Sequence, residues 1–89
     1  MSIELIENTL LLQVEGDIEI RGIYERFLKS RIKNVITCSN GKESYVLCKN
    51  YNPDIIVIDI KMPIMSGLEI SSMIRDNNND IPIIVITAH

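Results

Sequence analysis

Three side chains able to do chemistry stand at places in the chain where an apolar run stops. Glu15 follows Leu10-Leu11-Leu12-Gln13-Val14, Asp59 follows Ile55-Ile56-Val57-Ile58, and Thr87 closes Ile83-Ile84-Val85-Ile86-Thr87. If those runs are neighbouring strands, two carboxylates and a hydroxyl gather at one rim. Gathered acids repel each other, which raises the cost of ionising them unless a cation compensates. Carboxylates together with phosphoryl oxygens are a typical environment for Mg2+, and an ionised Asp can act as a nucleophile toward phosphorus to give an acyl phosphate. Cys38 and Cys48 are ten positions apart with no histidine near them, a spacing that suits neither a zinc site nor a redox Cys-x-x-Cys, so both are read as packed thiols.

The elements that must position these residues follow from periodicity. After Glu15-Gly16-Asp17 the apolar residues Ile20, Ile23, Tyr24, Phe27, Leu28 and Ile32 recur at three- and four-residue steps, the pattern of an amphipathic helix. Asp17 stands just before it, where a short carboxylate caps the free N–H groups of the first turn. Val35-Ile36-Thr37-Cys38 reads as a second strand, Ser39-Asn40-Gly41 as a turn, and Lys42 to Lys49 as a second helix. Asn52-Pro53-Asp54 interrupts the helix, because proline fixes φ and disfavours helix at the residue before it. Ile55-Ile56-Val57-Ile58 has no polar alternation and suits a strand buried on both faces of a parallel sheet. A loop, Lys61 to Gly67, leads to a third helix marked by Leu68, Ile70, Met73 and Ile74, and Pro82 opens the fourth strand at a position where its missing N–H is tolerable. Alternating strands and helices imply an α/β domain with a parallel sheet, right-handed crossovers and helices on both faces, with its chemistry beyond the carboxyl ends of the strands.

With 89 residues the chain makes one domain, 1–89, and has no room for a second core. No run approaches the roughly 20 apolar residues of a bilayer span, so no membrane role is expected. The acidic start, Met1-Ser2-Ile3-Glu4, lacks the features of a signal peptide, and a cytoplasmic location is expected. Nine Lys and Arg against twelve Asp and Glu give a net charge of −3, no electrostatic footprint for nucleic acid.

Leu11-Leu12-Gln13-Val14-Glu15 followed by Arg21, then Pro53-Asp54-Ile55-Ile56-Val57-Ile58-Asp59-Ile60-Lys61-Met62-Pro63 with Gly67, then Pro82-Ile83-Ile84-Val85-Ile86-Thr87-Ala88, resemble the receiver domain of two-component response regulators over the whole chain. The resemblance implies a flavodoxin-like doubly wound sheet in order 2-1-3-4, lacking the family's fourth helix, fifth strand and fifth helix. It implies a signal-transduction receiver in which Asp59 accepts a phosphoryl group from a histidine kinase or phosphotransfer protein. Glu15 then matches an Mg2+-holding acid, the backbone carbonyl of Lys61 a further metal contact, and Thr87 the hydroxyl that moves toward the phosphoryl group. Lys61 and His89 match the variable positions that adjust the lifetime of the phosphorylated state.

The chain departs from the family at Gly16, where a second acid is usual. Asp17, one residue later, is then either a substitute ligand or only a helix cap. A degenerate receiver that binds a partner without phosphorylation is the alternative that Gly16 favours. A phosphatase would want an acid two residues after Asp59, where Lys61 stands, and no glycine-rich phosphate loop follows the first strand. Glu15 and Thr87 also have plain readings, as a solvated strand end and as ordinary strand sequence, and the terminal His89 reads as disordered. Without the family's last elements, Ile83, Val85 and the stripe of Ile20, Tyr24, Phe27 and Leu28 lose part of their cover, so a homo-oligomer is expected through the fourth-strand edge or the bare helical face.

Overall fold

The structure, a computed structural model, describes residues 6–59, Ser72, Arg75 and residues 80–86; of Asp59 it describes the main chain. Its elements run β1 (Ile6–Val14), α1 (Ile18–Lys29), β2 (Ile32–Cys38), α2 (Gly41–Tyr51), β3 (Ile55–Asp59) and β4 (Ile83–Ile86). The four strands form one parallel sheet in order β2-β1-β3-β4, as the resemblance implied. The expected third helix lies outside the described residues, apart from Ser72 and Arg75, which are helical. Lys61, Thr87 and His89 also lie outside them.

Strand alternation separates two faces. Leu12, Val14, Cys38, Ile56 and Ile58 are buried together with Cys48 of α2, and Ile36, Leu47 and Ile83 pack against them. Fully burying each of the largest, Leu12, Ile56 and Ile58, contributes about 1.5–3 kcal/mol. Ile81, just ahead of β4, closes the same core, a loop position that periodicity did not mark. Both cysteines are free and buried, in agreement with their reading as packed thiols. Loss of hydration, aided by the nearby Glu43 carboxylate, pushes the Cys38 thiol up to about 12, and burial raises that of Cys48.

Helix α1 lies on the opposite face, where Tyr24, Phe27 and Leu28 with Gln13, Val14, Glu15, Val57 and Ile86 line a cleft of about 230 Å³. None of its residues is fully buried, and Ile23 and Phe27 are each 59% exposed. Of the residues expected to lose cover, Phe27 is exposed, whereas Ile83 packs against the core; on β4 it is Ile84, on the α1 side, that is half-exposed.

Several boundaries differ from the sequence reading. Ile32 is not the last residue of the helical stripe but the first of β2, because α1 ends at Lys29 and the N–H groups of Ser30 and Arg31 close on Phe27 and Leu28. Strand β1 begins at Ile6 rather than Leu10, paired to Ile32 and interrupted by a register shift before Leu10. Helix α2 runs from Gly41 to Tyr51, beyond the expected Lys42–Lys49: Asn40 caps its start by accepting from the Glu43 N–H. Its end is Asn52, in the left-handed region at φ 49°, a conformation Asn tolerates better than most residues. Asp54, read only as punctuation, clamps the entry of β3: its carboxylate accepts from the Leu10 N–H at 2.7 Å while its own N–H donates to the Leu10 carbonyl.

Candidate functional site

The rim is built by register. Val14 pairs with Ile58 and Asp59 with Ile86, so the chain leaves β1 at Glu15 beside the end of β3, and the Asp59 main chain lies against the end of β4. Glu15 and Asp59 thus close neighbouring parallel strands at their carboxyl ends, the side of the sheet where ligands of such folds bind. Thr87, which follows Ile86, is beyond the described residues.

Glu15 is not the solvated strand end that its sequence position permits. It is 4% exposed, and its Oε1 accepts from the Asp17 N–H at 3.1 Å. Its backbone is held on both sides: the N–H donates to the Cys38 carbonyl at 3.1 Å, and the carbonyl accepts from Nη1 of Arg21 at 2.9 Å. A buried carboxylate needs hydrogen-bond donors to offset its lost hydration, and the Asp17 N–H is one of them.

Asp17 resolves in favour of capping. Its backbone is extended and its Oδ1 accepts from the N–H groups of Glu19 at 2.9 Å and Ile20 at 3.0 Å. These are two of the donors that a helix start leaves unpaired, and the carboxylate also complements the positive end of the helix dipole. One oxygen of the side chain, Oδ1, is thereby committed to α1. Gly16, between the two acids, has no positive φ, so its backbone conformation does not itself demand glycine.

Arg21 and Gln13 carry no chemical signal in sequence beyond their place in the motif, yet Arg21 holds this loop and Gln13 reaches Arg21. The Arg21 N–H donates to the Asp17 carbonyl at 2.8 Å while its guanidinium holds Glu15. Gln13, 2% exposed, reaches the Arg21 carbonyl only at 3.4 Å through Nε2, and its Oε1 has no hydrogen-bond partner among the described residues.

The fit of Mg2+ can be judged from this donor set. Among the described residues no group of three or more candidate ligands comes together, and the rim offers the single carboxylate of Glu15. Hard oxygen is the right chemistry for Mg2+, which takes six oxygens and commonly keeps several as water. Glu15 therefore suits an ion that is held mainly by groups other than the loop. Asp17 is engaged elsewhere, and Gly16 contributes no side chain.

Comparison with known proteins agrees with this geometry. The family model for the response regulator receiver domain matches residues 11–89. The chain is 35% identical over 78 residues to the response regulator MprA of Mycobacterium sp. (strain KMS), covering 88% of this chain and 34% of that protein. It is 34% identical to the DNA-binding transcriptional regulator NtrC of Salmonella typhimurium over 85% of this chain and 16% of that protein. The chain thus spans about a third or less of the length of these curated relatives. Among solved structures, the chemotaxis response regulator CheY4 of Vibrio cholerae superposes with a TM-score of 0.82 at 25% identity, over 97% of this chain and 71% of that one. The N-terminal domain of protein WS1339 from Wolinella succinogenes gives 0.84 at 30% identity, over 91% and 65%. The sheet order, the acid that ends β1 and the match over residues 11–89 have one common explanation: this chain belongs to the family of response regulator receiver domains.

Proposed function

We propose that this receiver takes a phosphoryl group onto Asp59 from a phosphorylated histidine of a kinase or phosphotransfer protein, in the cytoplasm. The observation that carries the reading is the register that sets Glu15 and the Asp59 main chain at the carboxyl ends of adjacent parallel strands. A carboxylate oxygen of Asp59 attacks phosphorus, a P–O bond forms, and the P–N bond to the imidazole breaks; the released nitrogen keeps its electron pair and takes a proton from solvent. Bound Mg2+ would neutralise the oxygens of the transferring group, held by Glu15, Asp59 and the Lys61 carbonyl. Thr87 would offer its hydroxyl to the arriving phosphoryl group. Lys61 and His89 would flank the line of attack.

Receiver domains are signalling modules, and the product of this step is an altered surface rather than a released compound. Of the described helices none is long and apolar enough to cross a membrane. The exposed Ile23, Phe27 and Ile84 offer a second copy of the chain an apolar face. Light scattering coupled to size exclusion tests that assembly, and a monomer at tens of micromolar would refute it.

The central experiment is an intact-mass measurement after incubation with a small phosphodonor and Mg2+. One added phosphoryl group in the natural chain, absent in Asp59→Asn, is the expected result. No addition to either protein would favour the phosphorylation-independent binding module that Gly16 suggests, and addition to both would move the acceptor away from Asp59.

A further inference from the structure

Gly16 deprives the loop after β1 of any side-chain anchor at its centre, although the flanking Glu15 must keep one direction to serve the rim. Glycine carries the widest backbone freedom of any residue, so the peptide that joins Glu15 to Gly16 depends on bonds from its surroundings. Among the described residues the loop is tied to β2 through the Glu15 N–H and to α1 through Arg21. Arg21 closes the first turn of that helix and bonds the loop twice: its N–H closes on the Asp17 carbonyl at 2.8 Å, and its guanidinium reaches back to the Glu15 carbonyl at 2.9 Å. A bond from a charged donor is stronger than its neutral counterpart, and this one sits on the peptide that joins Glu15 to Gly16. With that peptide fixed, the Glu15 carboxylate meets the Asp17 N–H at 3.1 Å.

We propose that Arg21 is a positioning residue, which holds the Glu15–Gly16 peptide and thereby aims the Glu15 carboxylate. Its importance to phosphorylation rests on the phosphoacceptor reading given above. Its hold on the loop does not. Because the guanidinium makes a single donation to one carbonyl, a lysine ammonium can replace much of it, whereas methionine keeps the apolar stem and loses the donor.

The test compares the natural protein with Arg21→Met and Arg21→Lys by amide hydrogen exchange and by the initial rate of phosphorylation with a small phosphodonor and Mg2+. The Asp17 amide reports directly on the Glu15 carboxylate, and the amides of Leu12 and Ile56 report on the core. In Arg21→Met, exchange at Asp17 should rise about tenfold or more, the scale of a lost charge-assisted bond, with the core amides unchanged and phosphorylation slowed about as much. Arg21→Lys should restore most of both. Unchanged exchange at Asp17, an equal rise at Leu12 and Ile56, or a phosphorylation rate indifferent to a loosened loop would each overturn the proposal. A natural protein that accepts no phosphoryl group would overturn the phosphoacceptor reading instead, and the exchange comparison would still decide whether Arg21 holds the loop.

Discussion

Replacing Asp17 separates its two readings by stability and metal affinity at once. Its Oδ1 satisfies two first-turn N–H groups of a helix that buries none of its residues fully, so α1 has little packing with which to offset a lost cap. Asp17→Ala returns those donors to water at a cost of ~1 kcal/mol for the cap. It also removes a favourable charge at the helix start, worth ~0.3–1 kcal/mol. Together the loss is about 1.5 kcal/mol, which in a domain of this size lowers Tm by about 6–12 °C. Asp17→Asn keeps a capping oxygen and loses only the charge, so it should cost less than about 1 kcal/mol. Thermal unfolding by circular dichroism gives the stability order, and calorimetric titration with Mg2+ gives the affinity. The natural protein, then Asp17→Asn, then Asp17→Ala is the expected order of Tm, with Mg2+ affinity within about twofold across all three. An Asp17→Asn variant that folds with full stability yet loses Mg2+ would refute the capping account.

Helix α1 also contains Gly22, where an added Cβ meets nothing within 4 Å. Gly22→Ala should stabilise the domain by about 1 kcal/mol through helix propensity, and an unchanged or lower Tm would show that the open space beside it is needed. The backbone at Gly16 has no positive φ, so Gly16→Asp carries no backbone strain, and it should tighten Mg2+ binding measured by calorimetry; unaltered affinity would show that the missing acid at position 16 does not limit the site. The thiol of Cys38, pushed up to about 12, makes a signed contribution to the pH dependence. Its stabilising effect is complete below the ordinary value of 9.0 and is lost as pH rises toward about 12, because the unfolded chain gives up this proton first. Urea unfolding from pH 8 to 11 should therefore show a shallower decline in Cys38→Ala than in the natural protein, and parallel curves would contradict the assignment.

The strands were legible where burial leaves no room for alternation, as in Ile55 to Ile58, and the cap was legible because Asp17 stands between a strand and a helical repeat. Ile32 misled because it continues the spacing of Phe27 and Leu28 by four residues. Nothing in that spacing records that Ser30 and Arg31 have already turned their N–H groups back on the helix. The first residues of β1 were missed for the opposite reason. Ile6-Glu7-Asn8 are exposed and mostly polar, and they are strand only because the start of β2 lies beside them, with the Asn34 side chain donating to the Glu7 carbonyl at 2.8 Å. Polar residues were the least predictable in burial. Ser44 is fully buried because its hydroxyl donates to the Gly41 carbonyl one helical turn back, a local bond that removes the cost of losing water. Gln13 reaches the same depth with one oxygen unpaired, and no sequence rule separates the two. Arg21 belonged to the recognised motif, but its hold on the Glu15 carbonyl depends on which way a long side chain folds across a helix turn.

The substitution of Gly16 for an acid has two electrostatic consequences that act in opposite directions on the proposed reaction. A second carboxylate beside Glu15 would supply Mg2+ with a charged oxygen, and its loss leaves the ion to the remaining donors. The same carboxylate would also repel the ionised form of a neighbouring acid, and a nucleophilic Asp must be ionised to attack. Glu15 is buried at this rim with its Oε1 accepting from the Asp17 N–H. Which effect governs the rate depends on free Mg2+. At Mg2+ far below both dissociation constants either sequence would be mostly empty and at saturation both would be filled, so a restored acid at position 16 would gain most between the two constants.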